Sequence, residues 1–219
     1  MKARRGLRIA VLGAAVLAGG VALLTTWPPG PEELVTAPVI GPDGQPVPTI
    51  STLSDSHLVA DDSWFRLTVA AGRLDGYAVG TYASQPGADA ETVRQLAGRT
   101  DGSDWVVVQA GTNDLLGGAS PAEAFTDVQA LVRAVRGPRV ILALVPPANE
   151  RPAAVVELNR LLREWAESQD IAVLDVYSAV ATGDGRFLPG TSDDDVHVNG
   201  RGAQLQADAA TRQLRRILP

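Results

Sequence analysis

The sequence predicts an α/β domain built on a five-stranded parallel sheet with helices on both faces. Three observations carry this. Five short apolar runs are rich in β-branched residues, each is bounded by Gly, Pro or Asp, and amphipathic stretches of helical length separate them. Strands alternating with helices in this way must cross over the sheet, which makes neighbouring strands parallel.

The first run is "VPTISTL", residues 47–53, and the helix expected after it covers 63–71, where Asp61-Asp62-Ser63 suits the positive end of a helix dipole. "GYAVGTY", 76–82, is the second strand and 89–98 the second helix. "WVVVQAG", 105–111, is the third strand, followed by a helix over 121–135. "RVILALVPP", 139–147, is the fourth, and the helix at 152–169 shows the clearest period. There Val155, Leu158, Leu161, Leu162 and Trp165 recur on one face, Glu157, Arg160, Arg163, Glu164 and Glu167 on the other, and Pro152 suits the first turn. "IAVLDVY", 171–177, is the fifth strand, and the last helix is expected over 202–218.

This domain is placed at 47–219. Before it, a basic head with Lys2, Arg4, Arg5 and Arg8 precedes an uncharged run from Ile9 to Trp27. As a helix that run spans about 28 Å at ~1.5 Å per residue, close to the ~30 Å of a bilayer core. Residues 1–27 are therefore read as a membrane anchor or signal segment. The competing cleaved signal peptide would use Ala18-Gly19-Gly20 or Val35-Thr36-Ala37. Either way the basic head stays in the cytoplasm and the remainder crosses. Residues 28–48 hold seven of the fifteen prolines, so 28–46 is read as a semi-rigid linker.

Without the four basic residues of the head, 15 of the 19 Lys and Arg remain against 25 acids, a poor electrostatic partner for nucleic acid. The chain has no cysteine, which excludes thiolate chemistry and disulfides. Asp193-Asp194-Asp195 with Asp184 lacks the oxygen-ligand alternation of a calcium loop, so no metal is expected.

In open parallel sheets the ligand site lies beyond the carboxyl ends of the strands. Those ends offer "SDSH", Gly80-Thr81, "GTND", "PPAN" and the later loop "TSDDDVHVNG". Ser56 and His57 are adjacent, and neighbouring side chains rarely reach the ~2.6 to 3.2 Å that a base needs. His197 is the better base, because Asp194 lies three residues before it and is placed to orient the imidazole, with Asp195 and Asp193 as local rivals. Ser56 then attacks an acyl carbon, and the oxyanion that forms needs preorganised donors. The candidates are the N–H of Ser56, the N–H of Gly80 and the side-chain amide of Asn113.

With these blocks in this order, the sequence from Val47 onward resembles the SGNH or GDSL hydrolase family. "SDSH" stands where the family has Gly-Asp-Ser-Leu, Gly80 where it has its oxyanion glycine, "GTND" matches its Gly-x-Asn-Asp block and "DDVH" its Asp-x-x-His block. The resemblance implies a three-layer, flavodoxin-like fold. It implies Ser56, Asp194 and His197 as the catalytic triad, and Ser56, Gly80 and Asn113 as the oxyanion hole. Ser54 and His57 depart from the pattern: Ser54 adds a Cβ where glycine allows a sharp turn, and His57 is either a substrate contact or a turn residue. Trp64 and Phe65 are expected in the core rather than in an acyl pocket.

The expectation is an exported or membrane-tethered serine hydrolase, a monomer without a cofactor, that cleaves lipid or cell-envelope carbohydrate esters through an acyl-serine. Its localisation is the cell membrane, with the C-terminal domain outside, or secretion. An O-acyltransferase on a surface glycan and a non-catalytic binding module are the alternatives.

Overall fold

The computed structural model describes residues 39–41 and 44–219. The expected anchor or signal segment and most of the linker lie outside the described residues. No helix among the described residues is long and apolar enough to cross a membrane.

Five strands form one parallel sheet: β1 (Thr49–Ser54), β2 (Ala78–Ser84), β3 (Trp105–Gln109), β4 (Arg139–Ala143) and β5 (Ala172–Leu174), in the order β2-β1-β3-β4-β5. Each falls within or beside an expected apolar run. The runs extend further than the strands where the chain leaves the ladder, as at Pro146 and Pro147, which have no N–H to donate. The helices are α1 (Ala90–Arg94), α2 (Thr112–Leu116), α3 (Pro121–Ala134), α4 (Pro152–Ser168) and α5 (Gly200–Ile217). Ser120 caps α3 in a reciprocal capping box with Glu123, and proline opens both α3 and α4.

The expected helix at 63–71 has a wider winding. After one turn it continues as a π-helix over Arg66–Ala70, whose i to i+5 bonds include Ala71 N–H to Arg66 O at 2.9 Å and Arg73 N–H to Thr68 O at 3.0 Å. There the buried Thr68 hydroxyl donates to Ala207 O of α5.

Alternation along the strands divides the core between the two faces. Leu53, Val106, Val108 and Leu142 pack with Val93, Leu131, Leu158 and Leu162 from α1, α3 and α4. Ile50, Val107, Ile141 and Leu174 face the other way, onto Trp64, Phe65 and the Ala207, Ala210 and Leu214 side of α5. Burying each large aliphatic side chain contributes about 1.5–3 kcal/mol, so these two layers supply the main drive for folding.

The strand order reverses direction between β1 and β3. Their last paired residues are Ser54 and Gln109, so the chain after β1 and the chain after β3 leave the sheet side by side. This opens a crevice at the carboxyl edge, where a doubly wound sheet places its ligands.

Candidate active site

Ser56 follows β1 directly and begins a short 3-10 turn, Ser56–Leu58, capped by Asp55. Asp55 Oδ1 accepts the His57 N–H at 3.1 Å, while Oδ2 is enclosed without a partner among the described residues. Burial pushes the Asp55 carboxyl up to about 7, and repulsion from Asp114 adds to the effect. As a first-turn amide, the Ser56 N–H has no intrahelical acceptor.

His197 comes from the loop before α5. Its Nε2 lies 2.8 Å from Ser56 Oγ, and its Nδ1 lies 2.7 Å from Asp194 Oδ2. Asp194 Oδ1 accepts two main-chain N–H groups, from Val196 at 3.0 Å and His197 at 2.7 Å. Partial burial works to raise the Asp194 pKa, but the hydrogen bonds from His197 and Val196 outweigh it and hold the carboxyl below its ordinary range. Ser56 is half-buried, whereas its partners reach the surface: the His197 side chain is 44% exposed and that of Asp194 56%.

The rival acids are used elsewhere. Asp195 Oδ1 accepts the Asn149 side-chain amide, and its carbonyl accepts the Asn149 N–H at 2.9 Å. Asp193 accepts Asn199 Nδ2 at 2.8 Å. Asn199 also caps α5, accepting the Gly202 N–H, and gives its own N–H to Thr191 O. The loop is thus sewn at both ends, and Asp195 takes φ +66°, a left-handed conformation that turns its carboxylate toward Asn149.

Asn113 lies in the first turn of α2. One of its amide protons goes to Ala88 O at 2.9 Å, in the loop after β2, and the second, since an amide has two, meets no partner among the described residues. The neighbouring Asp114 accepts the Ala90 N–H at 3.0 Å and straps the same loop; burial raises its pKa.

Gly80 does not reach this site. It lies inside β2, four residues before the Ser84 that pairs with Ser54, so at ~3.3 Å per residue it sits about 13 Å below the carboxyl edge of the sheet. Its missing Cβ serves packing, because a Cβ there would come within 2.3 Å of Ser51 Oγ. The glycine at the edge is Gly87, in the turn Gln85-Pro86-Gly87-Ala88, closed by Ala88 N–H to Gln85 O at 3.3 Å with Gly87 at φ +70°. Proline followed by a positive-φ glycine is the residue pair such a turn requires.

Both departures from the family pattern are accommodated. Among the described non-glycine residues only Asp170 and Asp195 have positive φ, so the chain at Ser54 does not need glycine. The Ser54 hydroxyl pairs with Ser84 Oγ at 2.7 Å across the strands. His57 is buried rather than a surface turn residue, with Nε2 at 2.9 Å from Thr112 Oγ1. Trp64 and Phe65 are in the core as expected, and Trp64 Nε1 donates to Gln109 Oε1.

Thr112, Asn149 and Asn199 are not among the site residues expected from sequence. Asn199-Gly200 at a helix start and the Pro86-Gly87 turn were readable signals. Nothing local marks Asn149, whose partners lie 37 to 46 residues away. A cavity of about 200 Å³ lined by Leu74, Tyr77, Arg215 and Leu218 sits near the start of β2, at the sheet edge opposite Ser56.

The model of the GDSL-like lipase/acylhydrolase family matches residues 52–205. No curated protein matches the chain in sequence. Among solved structures, a lipase/acylhydrolase from Enterococcus faecalis is 25% identical, the match covering 78% of this chain and 97% of that one, with a TM-score of 0.60. A member of the lipolytic protein G-D-S-L family from Veillonella parvula is 22% identical over 77% of this chain and 98% of its own, at a TM-score of 0.62. A carbohydrate acetylesterase family member from Sinorhizobium meliloti is 18% identical over 78% and 97%, at 0.58.

Proposed function

Since the chain belongs to the GDSL-like lipase/acylhydrolase family and is a serine esterase, we propose that Ser56 is its nucleophile, acting through an acyl-serine with His197 as base and Asp194 as the acid that orients it. The observation that carries this is the 2.8 Å contact between Ser56 Oγ and His197 Nε2, two groups 141 residues apart in sequence.

In the proposed cycle, His197 Nε2 takes the Ser56 proton as Oγ attacks the carbonyl carbon. The oxyanion is held by the Ser56 N–H, the free amide proton of Asn113 and the N–H of Gly87, beside the Ala88 carbonyl that fixes Asn113. The tetrahedral adduct collapses, the alcohol leaves with the proton from His197, and a water activated by the same nitrogen releases the acid. Asp194 keeps Nδ1 protonated and Nε2 free to act.

The substrates proposed are lipid or cell-envelope carbohydrate O-acyl esters, reached by an enzyme that is exported or tethered by residues 1–27. The basic head and the uncharged run from Ile9 to Trp27 support that placement. Ser54 and His57, the two features that favoured a non-catalytic module, both fit a formed site.

The test is turnover of p-nitrophenyl acetate together with labelling by a fluorophosphonate. Wild type is expected to hydrolyse the ester and to be labelled at Ser56, and Ser56→Ala to lose both while melting like wild type. Labelling that persists in Ser56→Ala removes Ser56 from its role.

A further inference from the structure

His57 is the member of the first motif that the proposed cycle leaves unused, and it puts a hydrogen-bonding ring where the pattern calls for an apolar side chain. The fold fixes that ring beside the chemistry. Its Nε2 is held by Thr112 Oγ1 at 2.9 Å, the residue just before Asn113. Its centroid lies 5.3 Å from that of His197, with the planes tilted by 51°. The residue keeps 7% of its surface exposed, and Nδ1 has no partner among the described residues yet is not one of the enclosed polar atoms. That nitrogen is therefore left unpaired and not fully enclosed, on a ring packed beside the His197 imidazole.

Burial drives the ring's pKa down to about 3, and the nearby His197 adds to the effect, so His57 is neutral at working pH. Its free nitrogen is then an acceptor if Nε2 donates to Thr112, and a donor if Thr112 donates to Nε2. A hydroxyl satisfies both cases, because it can donate and accept. An aliphatic chain satisfies neither and strips Nδ1 of its water without replacing the bond. The aromatic residues nearest in sequence offer no acyl slot here, since Trp64 and Phe65 are 1% and 0% exposed in the core.

We propose that His57 is a specificity-determining residue whose Nδ1 hydrogen-bonds a substrate hydroxyl beside the scissile ester, so that the enzyme takes sugar esters in preference to lipid esters. This rests on Ser56 being the nucleophile.

The test compares kcat/KM of wild type and His57→Leu on methyl 6-O-acetyl-glucoside and on cyclohexylmethyl acetate. Both present a primary acetate on a six-membered ring, one with hydroxyls and one without. Wild type is expected to prefer the sugar ester, and His57→Leu to reduce that preference about tenfold, the usual worth of one such hydrogen bond. A wild type without the preference, or an equal loss on both esters, overturns the proposal. If His57→Leu does not fold, Thr112→Val releases the ring and is expected to lower the same ratio; an unchanged ratio again overturns it. Turnover of p-nitrophenyl acetate by wild type, lost in Ser56→Ala, reads the nucleophile separately. A wild type inactive on all three esters sinks both readings.

Discussion

Asp194 grips His197 twice, with Oδ1 on the main-chain N–H and Oδ2 on ring Nδ1, each at 2.7 Å. The first contact sets where the residue sits in its loop, and the second sets which way the ring faces. Asp195, one residue on, makes neither contact and binds Asn149 instead. Asp194→Asn is expected to lower kcat by about 10²–10³-fold, less than the ~10⁴ typical of a buried triad acid, because solvent reaches this carboxylate. Asp195→Asn should cost under about tenfold, since its role is to place the loop. Steady-state kinetics on p-nitrophenyl acetate decide it, and the reverse ranking would move the orienting acid to Asp195.

Asn113 joins the proposed oxyanion hole to the loop after β2 through Ala88 O. Asn113→Ala is expected to lower kcat by about 10²–10³-fold with a much smaller change in KM, as when a donor acts mainly on the transition state. A loss confined to KM would mean that the amide only binds substrate.

Asp55 links activity-site architecture to pH-dependent stability. Its carboxyl titrates at about 7 in the folded protein, whereas an unfolded aspartate releases its proton near ~3.9. Between these values the folded state binds more protons than the unfolded one, so unfolding free energy falls as pH rises through the window. Asp55→Asn keeps an Oδ1 for the His57 N–H and removes the ionisation. The difference in Tm between variant and wild type should therefore rise in the variant's favour from pH 4 to pH 8. Its buried amide adds a pH-independent offset, so the slope is the measurement, and a flat difference would place the Asp55 titration elsewhere.

Gly80 is a packing glycine. A Cβ there meets Ser51 Oγ, which is already tied to Ser103 Oγ at 2.5 Å and to the Thr81 N–H at 2.7 Å. Gly80→Ala is expected to destabilise by about 1–3 kcal/mol in urea unfolding, and the folded variant should retain wild-type kcat. A hundredfold fall in kcat without loss of stability would return Gly80 to the oxyanion hole.

The same residue shows where the sequence was ambiguous. "AVGTY" and "SQPGAD" each carry a glycine close to the second strand, and the apolar pattern places that strand without fixing its end. Only the pairing of Ser84 with Ser54 shows that β2 runs past Gly80, leaving Gly87 at the edge. The first expected helix differed for a related reason: its period was legible, whereas the π winding accompanies contact between Thr68 and an α5 residue 139 positions away.

The sequence by itself determined the five strands, the principal helices and the order of the Ser56, Asn113 and Asp194–His197 blocks. The strands and helices follow from side-chain periodicity and backbone propensity, which act over a few residues, and the block order is what carries the resemblance to the family. The tertiary structure decided which carboxylate faces the imidazole, which glycine lies at the crevice and whether His57 is buried beside the site. Each of these depends on docking between distant segments: the Asn149 clasp on Asp195, the register of β2 on β1, and Thr112 closing over His57. Long-range hydrogen bonds and packing select one geometry from several that the local sequence permits equally well.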